Sequence, residues 1–228
     1  VTASIVNNDG SSNMNKYSMS LLAAATLVTG AAQADDFSIG GGLDYMYSGM
    51  TGTAESQGDF SNSSRWSTFV DFRHPLLMVP NVNFQTSDLS SESANFENKL
   101  RTYDFAFYYS PIELEELTLN AGLNFRRYDG TLNHSQDYSN NAVMLYGSAE
   151  APIPGSDFGV FADARVSRWD SDHSHDWKAG VSYNVFPEDT LKFKVRAGYR
   201  NMRVDYHQDS IDLAQHTDSW FLGAELRY

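Results

Sequence analysis

From residue 37 onward, apolar side chains fall at every second position in short runs that polar stretches separate, the period of a strand with two unlike faces. In the first run Phe37, Ile39, Gly41, Leu43, Tyr45 and Tyr47 share one face, and Ser38, Gly40, Gly42 and Asp44 share the other. Trp66, Thr68, Val70 and Phe72 then oppose Arg65, Ser67, Asp71 and Arg73, and Val82, Phe84 and Thr86 oppose Asn81, Asn83 and Gln85. A fourth run sets Tyr103, Phe105, Phe107 and Tyr109 against Thr102, Asp104 and Ala106, and a fifth sets Leu117, Leu119, Ala121, Leu123 and Phe125 against Thr118, Asn120, Gly122, Asn124 and Arg126. Five more runs follow, over 142–150, 158–168, 177–186, 191–202 and 219–228, giving ten strands in all. One face suits hydrocarbon and the other a polar lumen, so the pattern predicts an all-β, antiparallel up-and-down transmembrane barrel.

Turn chemistry sets the sides. Prolines mark the short connections, at 74–80, at Ser110 and Pro111, at 151–155 and at 186–189, and these are expected on the periplasmic side. The longer connections, about 48–64, 87–98, 129–140, 169–176 and 203–217, are rich in Ser, Asn, Asp and Gly and are expected outside as polar loops.

The chain's beginning reads as export. Met14 to Tyr17 opens a short positive region, Leu21 to Val28 is an apolar run, and Ala32, Gln33 and Ala34 form a small-x-small cleavage site. Residues 14–34 are thus expected to be a signal peptide cut after Ala34, residues 1–13 an over-extended start, and 35–228 the barrel. That apolar run is too short for a spanning helix, which takes about 20 residues, and nothing after it is longer; in a membrane this leaves a closed barrel.

Composition then narrows the partners. The chain has no Cys, so ladders and packing, not disulfides, must stabilise it. Removing residues 1–34 takes away one acid, Asp9, and one base, Lys16, so the net charge stays at −13, which repels nucleic acid. The expected surroundings are outer-membrane lipid and lipopolysaccharide, with the barrel assembly machinery during biogenesis; the chain is read as a monomer without a cofactor.

The last strand supports the same address. Trp220, Leu222, Ala224, Leu226 and Tyr228 alternate with Ser219, Phe221, Gly223, Glu225 and Arg227, and Trp220, Leu222, Leu226 and Tyr228 look like the signal that the barrel assembly machinery reads. Trp66, Trp169, Trp177 and Trp220 fall near the outer ends of their strands, where an aromatic girdle belongs. Two stretches, residues 74–82 with 86–89 (His74, Pro75, Pro80, Asn81) and residues 145–150 with Pro152 and Gly155, resemble a family of proteobacterial outer-membrane β-barrel proteins of unassigned function. The resemblance implies compartment and fold and brings no catalytic residues.

Chemistry must then lie inside or at the rim. Asp44, Arg65, Asp71, Arg73, Asp104, Arg126, Glu150, Asp163, Arg165, Lys178, Lys192, Lys194, Arg196 and Arg200 fall on inward positions. Unpaired charge in a narrow lumen costs several kcal/mol, so these are expected to pair and plug the barrel; aqueous porins need about 16 to 18 strands. The run Lys192, Lys194, Arg196 and Arg200 also fits a filter for small anions, the channel alternative. At the outer rim Asp170, Asp172, His173, His175 and Asp176 invite comparison with omptin-type proteases, in which Asp and His activate water, although no opposing Asp pair is found. Five of six histidines, His134, His173, His175, His207 and His216, lie in the last three outer connections, and His173, His175 and Asp172 form a candidate metal site. The leading expectation is an envelope-structural or surface-binding barrel, not an enzyme.

Overall fold

The computed structural model describes residues 37–54, 63–76, 78–93, 96–132, 136–167, 174–186, 190–208 and 211–228. Residues 1–36, with the expected leader and cleavage site, lie outside the described residues. Residues 35–228 form one unit. Among the described residues there is no helix; the segments are β1 (Ser38–Ala54), β2 (Ser63–Arg73), β3 (Asn81–Asp88), β4 (Ser91–Ser93), β5 (Phe96–Leu114), β6 (Leu117–Leu132), β7 (Gln136–Pro152), β8 (Phe158–Ser167), β9 (Ser174–Asn184), β10 (Lys192–Gln208) and β11 (Ile211–Arg227).

Each segment pairs antiparallel with its sequence neighbour, except that β4 follows β3 on the same partner. Asp88 faces Arg101 and Ser91 faces Asn98, so the register holds across Leu89 and Ser90, and Leu89 N–H donates to Leu100 O at 2.7 Å. β3 and β4 are therefore one interrupted strand, and the ring has ten. β1 pairs β11 to close it, with Ile39 and Tyr228 exchanging both backbone bonds at 2.9 Å. Following one row of partners round the ring from Ile39 returns to β1 at Thr51, twelve residues further along. With a rise of about 3.3 Å and a strand spacing of about 4.8 Å, this stagger implies a tilt of about 40° and a backbone radius of about 10 Å.

The two faces are inverted relative to a water-soluble barrel. Outside stand Tyr47, Trp66, Phe105, Phe107, Leu123, Phe125, Leu145, Val181, Trp220 and Leu222, all exposed. Inside, Asp44, Arg65, Asp71, Gln85, Asp104, Asn124, Arg126 and Arg165 are buried. At the hairpin end Tyr45 packs on Trp66 (ring centroids 4.7 Å), and Tyr199 lies between Trp177 (5.7 Å) and Trp220 (5.2 Å), an aromatic belt on the wall of β9, β10, β11, β1 and β2. Trp169 lies outside the described residues.

Several expectations change. The strands run well beyond the belt: β6 ends at Leu132 and β7 begins at Gln136, and β10 reaches Gln208 before β11 starts at Ile211. Much of what reads as loop is therefore ribbon, because cross-strand hydrogen bonding continues where poor β-formers lower propensity but break no ladder. The turn expected at Ser110 and Pro111 lies instead at Glu115 and Glu116. β5 passes through Pro111 by a register shift between Tyr109 and Ile112, which removes the ladder bond proline cannot make. Residues 145–150 pair on both sides, so this segment is a full member of the ring.

The short connection at 74–80 is held by its own histidine. His74 Nδ1 accepts from Leu76 N–H (3.1 Å), its Nε2 donates to Pro80 O (3.1 Å), and its backbone N–H donates to Asn81 Oδ1 (3.0 Å). The residues that carry the family resemblance thus serve the turn's geometry.

Candidate functional site in the barrel lumen

Alternation alone sends these charges inward, and the narrow radius makes them meet. Near the belt level Arg126 on β6 is 1% exposed and donates to Asp104 on β5 through Nε (2.7 Å) and Nη2 (3.0 Å), and through Nη2 to Asp176 on β9 (2.5 Å). Arg200 on β10 grips the same Asp176 through Nε (2.8 Å) and Nη2 (2.7 Å) and donates to Ser87 (2.9 Å). Arg165 pairs with Asp163 and lies 3.9 Å from Asp104. Two carboxylates held by two bidentate guanidiniums make a rigid cross-link from one wall to the other.

Above this network, further along the same strands, Leu89, Leu100, Tyr128, Met202 and Val204 form an apolar cluster, with Tyr138 and Ala142 packed against it. It caps the ion pairs on the hairpin side and keeps water from competing for them. These residues fall in or beside stretches that composition marks as polar loop; the signal that finds them is the inward phase of each strand, extended past the belt.

Toward the turn end the pairing continues. Arg196 donates to Asp44 (2.9 and 3.0 Å) and Glu225 (3.1 Å), with Phe69 and Phe161 rings 4.7 and 4.8 Å from its guanidinium carbon. Arg227 reaches Asp71 (3.0 Å) and Glu225 (3.1 Å), Arg73 also reaches Asp71 (3.0 Å), and Lys194 pairs with Glu150. A Cβ on Gly223 would sit 2.1 Å from Asp44 Oδ1, so the strand between Asp44 and Arg196 needs glycine there.

Three placements differ from the inward set read along the sequence. Asp176, expected at the rim with the protease-like residues, is buried in the lumen between Arg126 and Arg200, because it shares the inward phase of Lys178 two residues on. Glu225 and Arg227 join the network, although the sequence reading left them out. Lys192 is exposed at the turn end instead of paired within. Of the basic stripe, Lys194, Arg196 and Arg200 each serve a carboxylate.

Of the metal candidate, His173 and Asp172 lie outside the described residues, as do Asp170 and His134, and no metal-ligand cluster occurs among the described residues. His175 donates through Nε2 to Asn201 Oδ1 (2.9 Å). Asn201 also donates to Asp218 (2.8 Å), which holds His216 (3.0 Å) and accepts from the Tyr199 hydroxyl. These groups belong to the outward phase just above the belt and tie β9, β10 and β11 together.

An even-stranded closed ring, apolar outside and charged within, with short turns at one end and long ribbons at the other, is a transmembrane β-barrel of the outer-membrane type. No known family profile and no curated protein sequence matches the chain. Among solved structures it is similar to the attachment invasion locus protein Ail of Yersinia pestis (13% identity, 85% of this chain and 98% of that one, TM-score 0.37). It is also similar to the outer membrane protease OmpT of Escherichia coli (10%, 86% and 98%, 0.43) and to the translocator domain of the autotransporter NalP from Neisseria meningitidis (10%, 93% and 96%, 0.45). Likeness of this degree assigns no activity.

Proposed function

We propose that the protein is a monomeric outer-membrane barrel closed to bulk solute, an envelope-structural or surface-binding anchor whose outer ribbons make its contacts. The observation that carries this reading is the filled cross-section at Asp104, Arg126, Arg165, Asp176 and Arg200, all buried, beneath the apolar cap. A solute crossing there would have to break charge pairs that water cannot readily replace. The apolar wall and aromatic belt suit direct contact with lipid, and acidic outer segments favour divalent cations as bridges to lipopolysaccharide. A hydrolase is the weaker reading, since Asp176 is engaged by two arginines and so is not available to activate water. Reconstitution into planar bilayers tests the proposal. No stable conductance is expected, and large stable steps from the purified protein would overturn it.

A further inference from the structure

Below the Asp104–Arg126–Asp176–Arg200 network the lumen holds a cavity of about 90 Å³, whose walls include Phe69, Asn83, Tyr108, Phe161, Lys178 and Arg196. Two of its lining groups are more than nine-tenths buried yet have one atom without a hydrogen-bonding partner among the described residues: the acceptor Asn83 Oδ1 and the donor Arg196 Nε. Among the described residues, the polar contacts of Lys178 Nζ are long, to Gln85 Oε1 (3.4 Å) and Asp44 (3.7 Å). Orphan buried polar atoms are rare and costly, and they point to something that satisfies them. A charged occupant gains little, because the lining carboxylates Asp71, Glu150, Asp163 and Glu225 are balanced by Arg73, Lys178, Arg196 and Arg227. Side-chain exposure marks a way in from the turn end: Glu150 is 38% exposed and Arg73 23%, while Arg126 and Asp104 are at 0%.

We propose that the periplasmic half of the lumen is a hydrated binding chamber, in which a small cluster of waters bridges Asn83, Arg196 and Lys178 and exchanges with the periplasm but not with the outside. Water supplies both the donor that Asn83 needs and the acceptor that Arg196 needs, and the space is large enough for several molecules. The barrel is then wet to mid-height and dry above it. This rests on the closed-lumen reading and adds a side and a depth to it.

The absence of cysteine makes single-cysteine probing direct. Ser182 lines the chamber and Ser87 lies in the network above, and both are buried, at 4% and 1% exposure. Ser182→Cys and Ser87→Cys, each folded in detergent micelles, are exposed to silver ion, a thiol reagent of near-water size. The remaining thiol is counted with a maleimide after unfolding. Ser182→Cys is expected to react at least 100-fold faster than Ser87→Cys, and adding Asn83→Leu, which fills and dries the chamber, should slow it at least tenfold. Equally slow reaction of both cysteines overturns the hydrated chamber while leaving the closed lumen standing. Equally fast reaction overturns both, since the network would then be wet. If Ser182→Cys does not fold, Ser148→Cys, on the same lining, replaces it.

Discussion

Replacing Arg126 by methionine tests whether the lumen network is a dry ion-pair cluster. The substitution keeps an unbranched apolar stem and removes the guanidinium with its charge, so Asp104 loses bonds of 2.7 and 3.0 Å and Asp176 loses one of 2.5 Å. Asp176 remains held by both arms of Arg200, but Asp104 is left with Asn124 at 2.6 Å and Arg165 at 3.9 Å. Breaking a buried pair costs about 3–5 kcal/mol, mostly from the stranded charge; the remaining partners place this case at about 3 kcal/mol, roughly a 100-fold loss in the folding equilibrium. Adding Asp104→Asn removes that charge while keeping an acceptor for Asn124. The pair of changes should then cost less than the sum of the single ones by about 2 kcal/mol, the coupling of a contacting pair. Reversible urea unfolding from lipid vesicles, followed by tryptophan fluorescence, measures all four corners of the cycle. A cost below about 1 kcal/mol for Arg126→Met, or strict additivity of the two changes, would refute the reasoning and mean that water already reaches the site.

Other expectations are simpler. Leu100→Ala opens the cap at a fully buried position and should cost about 2–4 kcal/mol in the same unfolding assay; a cost near zero would mean the cap does not pack. Pro111→Ala should change stability by less than about 0.5 kcal/mol, because the register shift already spares the ladder bond there, and a loss above 1 kcal/mol would show that proline shapes the bulge. Tyr228→Ala should slow folding by purified barrel assembly machinery several-fold while leaving unassisted folding into thin bilayers nearly unchanged; equal slowing in both would assign Tyr228 to the barrel wall and not to recognition.

The ten strands and their faces were legible because a two-residue period leaves little freedom once one face meets lipid and the other meets charge. Tyr103, Phe105 and Phe107 alternating with Thr102, Asp104 and Ala106 state the orientation of β5 without further information. What escaped lay beyond the belt, where water on the outer face removes the hydrophobic half of the signal. Leu89, Leu100 and Val204 stand among Ser, Asn and Asp there, and only the continued phase of their strands marks them as inward. Asp176 illustrates the same point: its neighbours suggest a polar rim, whereas its parity with Lys178 places it in the lumen. Which inward charges pair could not be read at all, since the partners are set by the stagger between distant strands.

Arg196 on β10 reaches over β11 to Asp44 on β1, and Arg227 on β11 reaches over β1 to Asp71 on β2. Both straddle the seam where the first strand meets the last. The seam is therefore latched from within as well as stitched along its backbone: prising β1 from β11 would leave two guanidiniums and their carboxylates facing hydrocarbon. Such a wall resists sideways escape of anything from the lumen into the bilayer.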